Sequence, residues 1–389
     1  MTHPYRLSDP ASQHLATAAS IARDVLAAHA ADVDASARFP RESIDALARA
    51  GLLGLSLPST HGGRGENMRA FAAVTEELAM ACGSTAMIYV MHVAASQAIA
   101  SGQTLEGRDD LLRQLASGDH LTTLAFSERG SRSQFWAPVS KLAPADTGFR
   151  TQAEKSWVTS AAHAHSYVSS AQKPDAASPL ESTVYLVKRD APGVKVAGRF
   201  NGLGLRGNDS SPVTLENVAV ADRDLISALG DGATTMLTVV LPWFSIGTAA
   251  MSNGLARSAV AITTAHLSEA KLEHTGSALR DLPNLRARLA EMFSRTEQSR
   301  ALLGHTLDHI ESGSPAAPLY VLMARLAALQ AASDVTDLAM KACGGAAFSR
   351  HLGLERVFRD ARAGWVMAPT VDHLLEFSGR ALTGLPLFG

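Results

Sequence analysis

The sequence predicts an α+β chain, mainly α, in three parts: an all-helical domain over 1–120, a small β-barrel or sandwich over 121–226, and a four-helix bundle over 227–389. The apolar period carries this reading. It is helical as far as Leu112, turns to short alternating segments punctuated by Gly, Pro, Asn and Asp between Leu121 and Ile226, and returns to long helical runs after Gly232.

In the first part, Pro40 stands where a first-turn proline is tolerated, Ile44 and Leu47 share a face, and Gly51 supplies a left-handed C-cap. The loop Pro58 to Gly65 breaks the pattern. A second amphipathic stretch runs from Met68 through Leu78, and a third, Thr85 to Ala100, is apolar on most sides and is expected to be buried. Strands are expected at Leu121 to Phe126, Gly148 to Ala153, Ser156 to Val158, Ser166 to Ala171, Thr183 to Val187 and Val213 to Val218, with Gln172 to Ser182 as a surface loop. The bundle helices are expected at Ala233 to Leu267, Leu282 to Ser312, Ala317 to Cys343 and Pro369 to Leu382.

Composition narrows the function without naming it. A chain of 389 residues buries a sizeable core, and 46% hydrophobic against 19% charged residues, with abundant alanine, suits helices with extensive buried faces. The net charge of -2 leaves no basic field for nucleic acid or an anionic membrane. Cys82 and Cys343 lie far apart, so neither a disulfide framework nor a zinc ribbon is indicated, and a reducing cytoplasm is the expected location. The first residues lack the apolar core of a signal peptide. The apolar stretch Met236 to Met251 is interrupted by Pro242, Ser245 and Gly247 and reads as a buried helix.

Several short motifs follow one another along the chain: Phe39-Pro40 through Gly51 to Gly54, then Pro58 with Gly62 and Gly63; Glu76 to Ala79; Ser127, Glu128, Gly130 and Ser133; Lys155, Trp157, Val158, Thr159 and Ser160; Leu203 to Gly207; Cys343-Gly344-Gly345; Glu355-Arg356; Arg359-Asp360-Ala361; and Met367-Ala368-Pro369-Thr370. In this order and spacing the sequence resembles the acyl-CoA dehydrogenase family. The resemblance implies FAD, with Ser127, Gly130, Ser133, Trp157, Thr159, Ser160, Gly344, Gly345 and Thr370 at the cofactor. An aromatic face such as Trp157 covers a flat isoalloxazine ring, hydroxyls meet its polar edge, and small residues let main-chain N–H groups approach phosphate. It further implies a small-molecule substrate, an acyl-CoA among the candidates, an electron-transfer flavoprotein as electron acceptor, and a homodimer or homotetramer in which Gly344-Gly345 faces a neighbouring subunit's cofactor. Taken alone, Trp157 reads as a core or rim side chain, Gly344-Gly345 as a helix C-cap, and Arg206 with the Glu355, Arg356, Arg359 and Asp360 cluster as a solvated or salt-bridged surface, or as charges that hold subunits together.

The departures bear on the chemistry. The family's usual catalytic glutamate position holds Ala368, and its alternative helical position falls at Phe244, with Ser245 replacing the adjoining arginine. Leu272 to Gly276 lacks the family's arginine motif, while Arg132 and Gln134 alter the flavin turn. Replacement bases are Asp372, Glu376 and His92, with His373 a further histidine to consider; Phe244, Trp243 and Met367 are expected to wall the substrate pocket, and no metal site is expected. The first reading is a FAD-dependent dehydrogenase acting on the CH–CH group of an acyl thioester. The alternative is a two-component monooxygenase that takes FMN or diffusible reduced flavin from a flavin reductase and needs no α-proton base. A non-catalytic flavin or thioester binder ranks third.

Overall fold

A computed structural model describes residues 3–387. The N-terminal part comprises helices α1 (Asp9–Ile21), α2 (Ala27–Ser36), α3 (Arg41–Arg49), α4 (Met68–Ala81), α5 (Gly83–Ser101) and α6 (Arg108–Ser117). Asn67 caps α4, its Oδ1 accepting from the amides of Arg69 and Ala70, and Gly51 leaves α3 with φ +69°. Nearly every residue of α5 is buried, so it has no polar face to give it an amphipathic period.

The middle part holds β1 (Thr122–Ala125), β2 (Leu142–Pro144), β3 (Phe149–Val158), β4 (Ser166–Gln172), β5 (Ser182–Lys188), β6 (Val194–Val196) and β7 (Ser211–Val220). They form two sheets, ordered β1-β4-β5 and β2-β3-β7-β6, with β1 and β4 parallel and Thr122 opposite Ser166. The sheets enclose Tyr167, Tyr185, Val187, Val213 and Leu215 as a sandwich core. The two segments expected at 148–153 and 156–158 are one strand, β3. Register shifts between Thr151 and Ala153 and between Lys155 and Val158 break its alternation. Strands β2 and β6 were not expected, since three residues each are too short to display a period.

The C-terminal part contains α7 (Gly232–Thr235), a π-helical turn (Met236–Val240), α8 (Leu241–Glu269), the two-residue strands β8 (Lys271–Leu272) and β9 (Ser277–Ala278), α9 (Pro283–Glu311), α10 (Ala317–Cys343), α11 (Gly345–Phe348), α12 (Leu354–Ala361), α13 (Ala363–Val366) and α14 (Val371–Leu382). Helix α8 packs on α9 and α10 and also on α4 and α5, joining the bundle to the N-terminal helices. Gly254 permits the α4 crossing: a Cβ there would stand 2.2 Å from the Glu76 carbonyl oxygen. The segment Gly232–Glu269 is long and apolar enough to cross a membrane, yet 61% of its most apolar window is buried inside the fold, as a core helix is. At the same crossing the buried Glu76 carboxylate accepts from Arg257 Nη1 at 2.8 Å and Arg300 Nε at 3.0 Å, and from the Tyr5 hydroxyl.

The charges read as a salt-bridged surface or a subunit contact join the three parts of one chain. Arg359 on α12 pairs with Asp34 on α2 at 2.6 Å, Arg206 Nε donates to the Asp34 carbonyl at 2.9 Å, and Asp360 Oδ1 accepts from the Leu205 amide at 2.6 Å. Burial pushes the Asp360 carboxyl up to about 6. A folded-state value above the unfolded one gives stability that is full below the unfolded value and is lost as pH rises through about 6. Asp360→Asn retains the acceptor for Leu205 and removes the ionisation. Urea denaturation from pH 4 to pH 8 is expected to show the variant spared a decline on the order of 2–3 kcal/mol that the parent suffers; parallel pH profiles refute this.

Candidate active site

A cavity of about 700 Å³ lies where the β sandwich meets the bundle. Its walls come from Ser127, Gly130, Arg132, Ser133, Trp157 and Thr159 in the middle part, from Met87 and Met91 on α5, from Val240 and Phe244 at the start of α8, and from Ala363, Met367 and Ala368 beyond α12. The register shift at the end of β3 brings Trp157 here. With φ +55°, its side chain leaves the sandwich core and stands 67% exposed, its edge against Phe200 at 6.4 Å between centroids. Two residues on, Thr159 is buried, with its Oγ1 3.2 Å from Ser210 Oγ.

The turn over 127–140 is built on a buried ion pair. Lys155 Nζ lies 2.6 Å from Glu128 Oε1 and also donates to the Ser170 carbonyl at 2.7 Å. Glu128 Oε2 accepts from the amides of Val139 and Ser140 at 2.7 and 2.8 Å, and Oε1 from Ser140 Oγ at 2.5 Å. Burial alone would raise the Glu128 carboxyl, but the Lys155 ammonium and the donors around it outweigh burial and hold it below the ordinary glutamate range. The carboxylate present among the cavity-lining residues is therefore already committed. The same turn presents Gly130 at φ +101° and Ser133 at φ +66°, and the Arg132 guanidinium between them makes no ion pair among the described residues.

The cavity collects Ser127, Gly130, Ser133, Trp157, Thr159, Phe244, Met367 and Ala368 from the residues singled out by sequence. Others fall elsewhere. Ser160 is buried behind the wall at φ +59°. Trp243 points from α8 toward Phe71, at 5.4 Å between ring centroids, because consecutive helical side chains diverge by about 100°. Gly344 and Gly345 sit at the end of α10 with no atom within 4 Å of where their Cβ would be. Thr370 caps α14, and with Asp372 it lines a second pocket of about 360 Å³ beside Gln330, Ser333, Asp334 and Asp337. Trp365 borders both pockets.

The three replacement bases do not line the main cavity. Asp372 opens onto the second pocket, and Glu376 is exposed beside Arg380 at 3.5 Å. His92 is fully buried on α5, where its Nδ1 accepts from the Thr122 amide at 3.3 Å and burial pushes it down to about 4, leaving a neutral ring that pins α5 to β1. Instead of the family's arginine motif, Leu272 to Gly276 forms part of the β8–β9 hairpin. The ion pair's structural weight went unread, although a lysine on an inward position of β3 signals a buried partner. Arg325, buried behind Phe244, was also missed, since one basic residue in a long helical run carries no pattern.

The residues fit a flavin. A flat indole stands exposed at the cavity, Ser127 and Thr159 line the same chamber, and the turn at Gly130 approaches without side-chain bulk. Comparison with known proteins agrees. Sequence models of the acyl-CoA dehydrogenase N-terminal, middle and C-terminal domains match residues 9–119, 123–218 and 230–382. A cyclohex-1-ene-1-carbonyl-CoA dehydrogenase from Geobacter metallireducens is 26% identical over 363 residues, covering 93% of this chain and 95% of that protein. The fold is shared with butyryl-CoA dehydrogenase from Megasphaera elsdenii at a TM-score of 0.92 and 21% identity, over 97% of this chain and 99% of that one. It is shared also with the FAD complex of PigA, at 0.90 and 20%, over 97% and 98%. With the three domain models laid end to end over this fold, the chain belongs to the acyl-CoA dehydrogenase family and is a flavin-dependent oxidoreductase.

Proposed function

We propose that the protein oxidises the CH–CH bond of an acyl thioester bound in the 700 Å³ cavity, with FAD as its cofactor. The observation that carries this reading is the exposed Trp157 beside a cavity walled by Met87, Met91, Phe244 and Met367, an apolar chamber for an acyl chain set against an aromatic flavin platform. When bound, FAD supplies the two-electron acceptor. Trp157 covers one face and excludes water, Ser127 and Thr159 offer hydroxyls to the polar edge, and the uncommitted Arg132 guanidinium meets phosphate. Relatives named as acyl-CoA dehydrogenases support the substrate class. An electron-transfer flavoprotein is the electron acceptor in this reading. A homodimer or homotetramer is supported by the apolar side chains left on the C-terminal part, Phe348 at 86% and Phe293 at 58% exposure.

The α-proton still requires an acceptor, and Asp372 is the uncommitted carboxylate proposed for it. It borders the second pocket, which Trp365 separates from the main cavity, so a Trp365 shift is part of this assignment. Asp372→Asn is expected to lower turnover about 100-fold or more with little change in flavin content; undiminished turnover removes Asp372 from the reaction.

One observation favours the second reading, a monooxygenase using reduced flavin and O2. Ala368 and Phe244 both face the cavity, and the carboxylate there, Glu128, is tied to Lys155, so a reaction without a side-chain base suits this chamber. The test is anaerobic mixing of the FAD-loaded protein with saturated acyl-CoA thioesters. Flavin bleaching supports dehydrogenation. No bleaching, followed by oxygen-dependent transfer of one oxygen atom to substrate when reduced flavin is supplied, replaces it with the monooxygenase.

A further inference from the structure

Arg325 on α10 is the largest side chain wholly sealed from solvent, and it has no acidic partner among the described residues. Its Nη2 donates to the Met367 carbonyl at 3.1 Å, and its guanidinium carbon lies 4.8 Å from the centre of the Phe244 ring. Nε and Nη1 have no hydrogen-bond partner. Burial pushes the group down to about 9, so it remains charged at neutral pH. A guanidinium in this state is destabilising, because it has given up water and gained one carbonyl and one aromatic face in return.

Its place gives the uncompensated charge a use. Phe244 and Met367, which it meets through this ring contact and this hydrogen bond, both line the substrate cavity; Phe244 holds one of the two places where the family's catalytic carboxylate is absent, and Met367 adjoins the other, Ala368. The guanidinium thus lies directly behind a wall one aromatic ring thick. Phe244 follows the π-helical turn Met236–Val240, a backbone irregularity that frequently accompanies functional sites.

We propose that Arg325 forms a carboxylate subsite at the inner end of the cavity, so that the preferred substrate is an acyl thioester carrying a second, free carboxylate, which displaces the Phe244 ring and pairs with Nε and Nη1. The inference rests on the thioester reading above. It also accounts for the absence of an acid at 368 and 244: a fixed glutamate in either place would occupy Arg325 itself and repel an anionic substrate.

The test is calorimetric titration of the FAD-loaded protein, under anaerobic conditions, with succinyl-CoA against butyryl-CoA and glutaryl-CoA against pentanoyl-CoA, pairs of equal carbon count. The carboxylated member of at least one pair is expected to bind about tenfold tighter or more. Arg325→Met should bring that ratio to about one and melt no lower than the parent, since it removes a buried charge without an acidic partner. Phe244→Ala, which keeps the arginine and opens the wall, should widen the ratio. Equal binding within both pairs overturns the subsite while leaving the thioester reading intact, and a preference that survives in Arg325→Met overturns its assignment to Arg325. Binding of none of the four overturns the thioester reading and the subsite together.

Discussion

Lys155→Met is expected to destabilise the protein by about 3–5 kcal/mol, because it strands the Glu128 carboxylate in a buried site. Both side chains of the pair are almost wholly enclosed, at 0% and 2% exposure, so solvent offers Glu128 no substitute for the ammonium. The loss should also reach the cofactor. Glu128 holds the amides of Val139 and Ser140 and so shapes the turn that presents Ser127, Gly130 and Ser133 to the cavity. The pH dependence has a definite sign. In the parent the Glu128 carboxyl is held below the ordinary glutamate range, so its contribution is present above that range and is lost as pH falls through the folded-state value. In the variant the ammonium is gone and burial raises the carboxyl, so the deficit against the parent should shrink on acidification, as Glu128 takes up a proton. Urea denaturation at pH 7 and pH 5 measures both effects. The double variant Glu128→Gln, Lys155→Met should recover part of the loss, because it leaves no lone charge. A deficit under about 1 kcal/mol at pH 7 rules out a structural role of this size.

The reach of the sequence follows from how much of each signal is local. The helix Ala317–Cys343 was legible at both ends because Pro318 opens it and Gly344 closes it. Strand β3 was read as two pieces because its bulges disrupt the alternation that identifies a strand, yet those same bulges turn Trp157 out of the sandwich onto the cavity. Trp157 and Thr159 were legible through their motif. Phe244 and Trp243 looked equivalent in sequence, but only tertiary packing decides that one lines the cavity and the other meets Phe71. The Arg359–Asp34 pair spans residues 325 positions apart, and no periodicity reports such a contact. For the same reason Asp372 and Glu376, although one helical turn apart, proved to occupy a neighbouring pocket and an exposed surface.

Trp157→Ala is expected to weaken FAD binding about 10–100-fold, the value of losing an aromatic stacking face together with its buried area. The cofactor-free fold should be almost untouched. At 67% exposure, with its nearest aromatic neighbour Phe200 at 6.4 Å, Trp157 contributes little to the packing of the sandwich. Melting temperatures of the flavin-free parent and variant are therefore expected to agree, while flavin retained on gel filtration falls sharply. This separates Trp157 from Lys155, whose replacement lowers both. The backbone strengthens the inference, since a bulky residue held at φ +55° is unfavourable and the core receives nothing in exchange for it. Trp157→Phe should keep most of the affinity, because a smaller ring still offers a face. Equal flavin content and an unshifted flavin spectrum in the alanine variant would mean that the cofactor lies elsewhere in the cavity, and the apolar chamber beside Phe244 and Met367 would then lose its aromatic platform along with the reaction assigned to it.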